Sequence, residues 1–193
     1  MTRRAFDRDQ ALAIALREFW THGYETTSIA SLTKAMGINP PSLYAAFGDK
    51  RRLFDEAVEL YLRTHATGLR PAADAGTAIG RLLRDLAADY ADPAHPPGCL
   101  IISAATNCAP GSEEVLAAMR AMREATKASL AARVREDIEA GQLAPGVDSE
   151  AVATFYAAVI QGMNQQARDG AGRKALEGVA DAAMLAWPAL TAG

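Results

Sequence analysis

The stretch that decides the fold spans residues 26–47 and reads TTSIASLTKAMGINPPSLYAAF. It predicts two short helices joined by a tight turn, because Thr33 and Gly37 have the spacing at which a second helix crosses the first. Gly37 suits the turn, since glycine tolerates a positive φ. Leu43 then supplies an apolar residue that faces back to the first helix. This pattern is typical of a helix-turn-helix unit, although an ordinary helical hairpin shares the bare Thr-x-x-x-Gly spacing.

Capping residues mark the start of both helices. Thr27 or Ser28 can accept a hydrogen bond from a free backbone N–H of the first helix, and Asn39 can do the same for the second. Pro40 and Pro41 fall in the first turn of the second helix, where a missing N–H costs nothing. The second helix is therefore short and rigid at its start. A DNA recognition helix needs this geometry, because its N-terminal residues reach base edges in the major groove.

A longer string around this unit resembles a known family. Residues 37–50 read GINPPSLYAAFGDK and follow the string GYETT at residues 23–27. Together they closely resemble the DNA-binding domain of the TetR family of bacterial transcriptional regulators, over about residues 8–63. The resemblance implies an all-α protein. We expect a three-helix DNA-binding domain at residues 1–48, a linking helix at about 49–65, and a larger helical domain for ligand binding and dimerisation at 66–193.

The same resemblance assigns residues to double-stranded operator DNA. Lys50 matches a lysine that the family places next to the DNA backbone, and a cation at a helix N-terminus opposes the helix dipole unless it meets a phosphate. Tyr44 matches a tyrosine that usually touches a phosphate, although a ring packed on the bundle with an exposed hydroxyl fits equally well. The expected DNA-contacting residues are Thr27, Ser28, Asn39, Pro40, Pro41, Ser42, Tyr44, Ala45 and Lys50.

The sequence departs from the family pattern at three positions. Thr33 stands where alanine is usual, Pro41 where glycine is frequent, and Ala46 where a phosphate-contacting histidine is frequent. Because Ala45 and Ala46 carry no side-chain donor, few polar groups remain for direct readout. Ser42 remains, and the apolar surfaces of Pro40, Pro41 and Ala45 can meet thymine methyl groups.

Composition excludes several other classes of protein. The chain has 193 residues, 50% of them hydrophobic, which is enough for a sizeable core and argues against disorder. The formal charge is −3. Residues 1–63 carry nine Lys+Arg against eight Asp+Glu, and the acidic excess lies in the remainder. No apolar run approaches the ~20 residues that cross a bilayer, and the N-terminus lacks the apolar core of a signal peptide. We therefore expect a cytoplasmic protein without a membrane partner.

The sequence contains no residue spacing that is typical of a catalytic site or of a metal-binding site. His22, His65 and His95 fall in separate predicted elements, and no HxxxH or CxxC spacing occurs. Cys99 and Cys108 lie on opposite faces of any continuous helix that contains both, so we expect no bridge between them. We therefore expect neither enzymatic activity nor a cofactor. A helical interaction scaffold is the other alternative, but it gives no reason for the Asn-Pro-Pro-Ser helix start.

Helical periodicity continues through the rest of the chain. It predicts helices at about 74–90, 99–108, 112–140, 148–168 and 173–187, with Arg123 and Arg133 on a solvated face. The segment 99–108 is apolar all round, which predicts a buried helix. The last two helices resemble the family's dimerisation hairpin, which pairs with its copy as a four-helix bundle. Packing inside one monomer fits the same periodicity. The expected homodimer interface includes Phe155, Val159, Met163 and Leu185.

A ligand pocket is expected among the C-terminal helices, as in the family. The segment 99–108 carries polar side chains among apolar neighbours, and buried polar groups without partners cost about 1–3 kcal/mol each. This pattern suggests a mostly apolar cavity for a small hydrophobic or amphipathic inducer. A packed core with methionine as filler is the alternative. The candidate ligand-binding residues are Tyr90, Cys99, Ser103, Thr106, Asn107, Met119, Met122, Tyr156 and Gln161.

Two mechanisms of response remain open. The family resemblance implies a homodimeric repressor that leaves a pseudo-palindromic operator when a small-molecule inducer binds. Alternatively, Cys99 begins its helix directly after Gly98 and senses oxidants or electrophiles, because a helix dipole lowers the pKa of a thiol at its N-terminus. A buried, inert cysteine is the commoner arrangement.

Overall fold

A computed structural model describes residues 7–65, 67–105 and 109–193. Over these ranges the regular elements are helices, as the sequence predicts, and none of them is long and apolar enough to cross a bilayer. The chain divides into two compact units, Met1–Ala66 with Ser103–Met119, and Thr67–Ile102 with Arg120–Gly193. The helices are α1 (Arg8–His22), α2 (Ile29–Met36), α3 (Pro40–Phe47), α4 (Lys50–His65), α5 (Ala75–Tyr90), α6 (Leu100–Ser103), α7 (Glu113–Glu139), α8 (Ser149–Arg168), α9 (Arg173–Leu185) and α10 (Trp187–Leu190).

The first unit is built on an aromatic core between α1 and α4. The rings of Phe19 and Phe54 meet edge to face with centroids 5.1 Å apart, and those of Trp20 and Tyr61 do the same at 4.8 Å. All four side chains are buried. Such pairs add about 0.5–1.5 kcal/mol beyond the burial of their area. The two longer helices therefore form a rigid frame for the shorter α2 and α3, which pack on them and on each other.

Helices α2 and α3 form the predicted helix-turn-helix, and each has a side-chain cap at its start. The Ser28 hydroxyl accepts the Ser31 N–H at 3.0 Å, and the Ser31 hydroxyl accepts the Ser28 N–H in return. The Asn39 side chain accepts the Ser42 N–H at 2.9 Å. Gly37 ends α2 with a φ of 67°, the left-handed conformation that permits the tight turn.

The second unit has a core formed by α5, α8 and α9 with the later part of α7. Helix α5 presents two glycines to its neighbours. A Cβ atom built on Gly76 lies 2.9 Å from Cε2 of Trp187, whereas one built on Gly80 lies 3.6 Å from the Met184 side chain. Tyr156 is fully buried in this core, and its hydroxyl donates to the Ala183 carbonyl at 3.3 Å. The missing side chains on α5 therefore allow the C-terminal helices to approach closely.

The prediction of one buried helix over residues 99–108 is wrong. Helix α6 spans only Leu100–Ser103, and Ala104 and Ala105 form a turn. The Ala104 carbonyl accepts the Tyr24 N–H at 2.8 Å, so it is engaged outside the helical ladder. Residues 106–108, which include Thr106, Asn107 and Cys108, lie outside the described residues.

The last predicted helix, at about 173–187, ends slightly early and is followed by a separate short helix. Helix α9 ends at Leu185 and α10 begins at Trp187. The cause is Pro188, which has no N–H to donate to the Met184 carbonyl and whose ring would clash with that carbonyl in a continuous helix.

Two arginines that the sequence placed on a solvated face of α7 are half-buried. Arg123 donates to the Ile101 carbonyl at 2.9 Å. Arg133 pairs with Asp137, which is 3% exposed and also accepts the Ala75 N–H at 2.6 Å. A buried carboxylate thus ties the start of α5 to the end of α7. Breaking a pair of this kind typically costs about 3–5 kcal/mol, because one charge is left buried without its partner.

The two glycines of α5 provide a matched test of this packing. Gly76→Ala is expected to lower the free energy of unfolding by about 1–3 kcal/mol, because the added methyl overpacks the site against the Trp187 ring. Gly80→Ala has room for its methyl and should stabilise by up to about 1 kcal/mol through its higher helix propensity. Urea unfolding followed by circular dichroism measures both variants. Equal stabilities would show that the Trp187 ring moves aside at little cost.

Candidate nucleic-acid interface

One side of α3 is exposed and the other is part of the core. Leu43 and Phe47 are 0% and 3% exposed, whereas Tyr44 is 48% exposed. The helix starts with two prolines and is capped at its N-terminus, so its first turn is rigid as well as accessible. Of the predicted contact residues on this helix and its cap, Ser42 is half-buried, and the exposed ones are Asn39, Pro40, Pro41, Tyr44 and Ala45.

Lys50 begins α4, close in sequence to the end of α3. Asp49 caps this helix by accepting the Arg52 N–H at 2.8 Å. The Lys50 Nζ lies 4.2 Å from the centroid of the Tyr24 ring and 3.5 Å from the Glu25 carbonyl oxygen, to which it donates. Desolvation lowers the pKa of Lys50, and the Glu25 carboxylate opposes the shift. The aromatic face therefore holds the ammonium group in place at a helix N-terminus, where an anion is the favoured ligand.

The prediction that the Thr27 side chain contacts DNA is wrong. It is 1% exposed, and its hydroxyl donates to the Gly23 carbonyl at 2.7 Å. This bond stabilises the connection between α1 and α2 from inside. Ser28 is exposed and provides the cap of α2, so it stays in the candidate interface. The string Thr-Thr-Ser offered several possible caps, and the hydroxyl pattern alone did not distinguish them.

The contact of Tyr24 with Lys50 in this site was not predicted from the sequence. Its ring is 9% exposed and lies 5.0 Å from the Phe54 ring while it supports Lys50. One oxygen of the neighbouring Glu25 carboxylate is buried without a hydrogen-bond partner among the described residues. The available signal was the GYETT string, in which an aromatic and an acidic residue precede the helix-turn-helix.

The candidate ligand-binding residues differ in their surroundings. Ser103 and Met119 belong to the first unit, and the other described ones belong to the second. Tyr90 and Tyr156 lie in the same buried core, and Met122 is half-buried. Gln161 is exposed on α8, so its assignment to an internal pocket is wrong. In the second unit a surface groove of about 520 Å³ is lined by parts of 69–73 and 133–142, and it includes none of the candidate residues.

Cys99 is half-buried beside Tyr90. Burial raises the pKa of the Tyr90 hydroxyl well above its usual value, and contact with the Cys99 side chain adds to the shift. The Cys99 N–H donates to the buried Asn164 side chain at 2.6 Å. Activation of this thiol by a helix dipole required a substantial helix after it. Because α6 has four residues, that premise is wrong.

The expected interface residues fall into two groups. Met163 is 0% exposed inside the core of the second unit, so its assignment to a subunit interface is wrong. Phe155 and Val159 are half-buried on α8, and Leu185 is 82% exposed at the end of α9. Val179 on α9 is a further exposed apolar residue, at 38%.

Comparison with protein families identifies both parts of the chain. The family described as "Bacterial regulatory proteins, tetR family" matches residues 11–57, and "Tetracyclin repressor-like, C-terminal domain" matches residues 77–183. The chain belongs to the TetR family of bacterial transcriptional regulators. The expected recognition and the all-α architecture, with an N-terminal helix-turn-helix domain and a C-terminal helical domain, are therefore confirmed.

Several transcriptional regulators are similar to this chain over most of their length. The HTH-type transcriptional repressor ComR of Escherichia coli (strain K12) is 30% identical and aligns over 97% of this chain and 91% of its own. The HTH-type transcriptional repressor BdcR of the same strain is 28% identical and aligns over 86% of this chain and 82% of its own. A cysteine-substituted TetR family regulator, CifR, was solved in complex with a 26-bp double-strand operator; it is 43% identical, with a TM-score of 0.89 over 97% of this chain and all of that one. The present TetR-family chain is thus a DNA-binding transcriptional repressor, as the sequence predicts.

The Ser42 hydroxyl can be removed without touching the cap of α3, because the cap uses the Ser42 backbone N–H. Ser42→Ala is therefore expected to fold normally and to change discrimination at particular base pairs, by at most about 1–3 kcal/mol at each. Its affinity for nonspecific DNA should stay the same. Competition with duplexes substituted at single positions measures the effect. Unchanged preferences at all positions would remove Ser42 from the residues that read bases.

Proposed function

We propose that this TetR-family repressor binds a pseudo-palindromic operator as a homodimer and leaves it when a small hydrophobic or amphipathic inducer binds the C-terminal domain. The observation that carries the DNA-binding part is the combination of an exposed, rigid α3 with a fixed cation at the start of α4. Each copy places its α3 in one major groove. Half-sites read in this way lie about 34–36 Å apart.

Base readout by α3 is sparse. Ser42 supplies a hydroxyl group in its first turn, and the exposed surface beside it consists mainly of proline and alanine. Apolar contacts with thymine methyls add some selectivity. Much of the sequence preference therefore comes from the shape and deformability of the operator, which phosphate contacts detect indirectly.

Lys50 and Tyr44 are the proposed phosphate contacts. Lys50 supplies a full charge, and its binding to a phosphate releases counterions from the duplex. Tyr44 supplies a neutral hydroxyl on a ring that is nearly half exposed. The two residues should therefore differ in their response to salt.

A salt titration tests the DNA-binding proposal. Lys50→Ala is expected to weaken binding to all duplexes and to lower the salt slope by about one unit, whereas Tyr44→Phe should weaken binding without changing the slope. Lys174→Ala, which removes an exposed lysine on α9, is the control for loss of a charge in the second unit. Fluorescence anisotropy with a labelled duplex gives affinity and slope together. If Lys50→Ala matches the wild-type protein in both, the phosphate role of Lys50 is refuted.

The proposed dimer uses the apolar side chains that α8 and α9 leave accessible. These are Phe155, Val159, Val179 and Leu185, which are half-buried or exposed in the single chain. Leu185 is a large apolar residue almost fully in solvent, and exposed apolar surface of this kind is typical of an interface. Two copies of this helical pair would bury the face in a four-helix bundle.

A charge placed on this face should separate the subunits. Val159→Glu is expected to give monomers, because an interface that buries an unpaired carboxylate loses several kcal/mol. Gln161→Glu puts the same charge on an exposed position elsewhere on α8 and should leave the dimer intact. Sedimentation velocity at micromolar concentration distinguishes the two states. A Val159→Glu protein that sediments as a dimer would place the interface on another surface.

The inducer acts by binding two conformations of the repressor unequally. Only a difference in its affinity for the DNA-competent and incompetent states can shift their populations. The described residues proposed to contribute in the second unit are Tyr90, Cys99, Met122 and Tyr156. Their apolar rings and thioether suit a hydrophobic ligand with few polar groups.

A further inference from the structure

Arg8 makes a set of contacts that the DNA-binding proposal does not use. Its Nη2 lies 2.7 Å from both carboxylate oxygens of Glu56 on α4. Its Nε donates to the Ala46 carbonyl at 3.3 Å, and its guanidinium carbon lies 4.6 Å from the centroid of the Phe47 ring. Arg8 is the first residue of α1, so one side chain joins the start of α1 to the end of α3 and the middle of α4.

The contact with Ala46 gives a hydrogen-bond donor to a carbonyl group at the C-terminal end of α3. The last carbonyls of a helix have no partner within it, and a cation near them also interacts favourably with the helix dipole. In an eight-residue helix these end effects matter more than in a long one. Asn39 completes the N-terminus of α3, and Arg8 completes the C-terminus.

Glu56 determines where Arg8 can point. The carboxylate takes the guanidinium in a charge-assisted contact, which is stronger and more directional than a neutral hydrogen bond. The face of the same guanidinium lies over Phe47, whose ring is 3% exposed. Arginine suits this combination because its planar group can donate in its plane and stack through its face.

We propose that Arg8, held by Glu56, is a positioning residue that sets the orientation of α3 on the operator. The inference rests on the proposed function, in which α3 is the recognition helix. At 1.5 Å per residue α3 is about 12 Å long, so a tilt of about 10° at its C-terminal end moves its first turn by about 2 Å. Such a shift exceeds the tolerance of a hydrogen bond to a base edge.

A direct phosphate contact by Arg8 is the competing explanation, since its side chain is 45% exposed. The two explanations differ in what they require of Glu56. Positioning needs the carboxylate, so its loss should weaken operator binding. A phosphate contact is opposed by the carboxylate, so its loss should strengthen binding to any duplex.

The experiment compares Arg8→Ala, Glu56→Ala and the double variant. The probes are a duplex selected by the wild-type protein from a random pool and a scrambled duplex of the same length and composition. Both single variants should bind the selected duplex about threefold to tenfold more weakly, with unchanged affinity for the scrambled duplex and an unchanged salt slope. The double variant should bind the selected duplex no more weakly than Arg8→Ala does, because each single change already removes the same interaction between Arg8 and Glu56.

Two further variants separate positioning from stability. Arg8→Lys keeps the charge but cannot contact Glu56, Ala46 and Phe47 together, and it should fall between Arg8→Ala and wild type. Arg84→Ala removes an exposed ion pair with Asp181 in the second unit and should change neither affinity nor the ratio of the two duplexes. Circular dichroism at the assay temperature verifies that each variant is folded.

Three results would overturn the proposal. A salt slope about one unit lower for Arg8→Ala, with equal losses on both duplexes, would make Arg8 a phosphate contact. Unchanged or tighter operator binding by Glu56→Ala would remove the carboxylate from any positioning role. A wild-type protein that selects no duplex would instead reject the proposed function, and with it the inference about α3.

Discussion

The edge-to-face contact between Phe19 of α1 and Phe54 of α4 is the constraint on which the DNA-binding domain depends. Neither α2 nor α3 is long enough to be stable alone, since isolated helices shorter than about 12–15 residues are marginal in water. Both acquire their orientation by packing Leu32, Leu43 and Phe47 onto the frame that the aromatic core makes rigid. The orientation of α3 therefore depends on packing behind its exposed surface.

Side-chain hydrogen bonds at the helix ends add to the constraints that core packing places on these helices. Ser28 and Asn39 define where α2 and α3 start, and Asp49 defines the start of α4. Each cap contributes about 1 kcal/mol, which is small beside the core but local to one helix end. Because α3 consists of eight residues, its two ends account for nearly half of its backbone hydrogen-bonding groups. Its geometry is thus sensitive to single side chains in a way that the longer α1 and α4 are not.

The parts that sequence reasoning predicted are those that depend on local chemistry. Caps, glycine turns and apolar periodicity placed α2 to α5 and α7 to α9 within a few residues of their observed ends. The errors have a different origin, because they depend on contacts between residues distant in sequence. Helix α6 ends early where Ala104 bonds to Tyr24, Thr27 turns inward to Gly23, and Met163 is enclosed by the core. The pattern of apolar and polar residues indicates which side chains are suited to burial. It does not show which distant residues those side chains will contact in the folded protein.

Tyr24 shows that the support of the Lys50 ammonium group involves residues outside the helix-turn-helix. Its backbone N–H is bound to the Ala104 carbonyl, and its ring carries the Lys50 ammonium group. Segment 103–119 also reaches α4 through Glu114, which pairs with Arg51 at 3.4 Å, beside Lys50 in sequence. The residue that supports Lys50, Tyr24, and its neighbour in sequence, Arg51, are therefore both in contact with residues that follow them by more than 50 positions, Ala104 and Glu114.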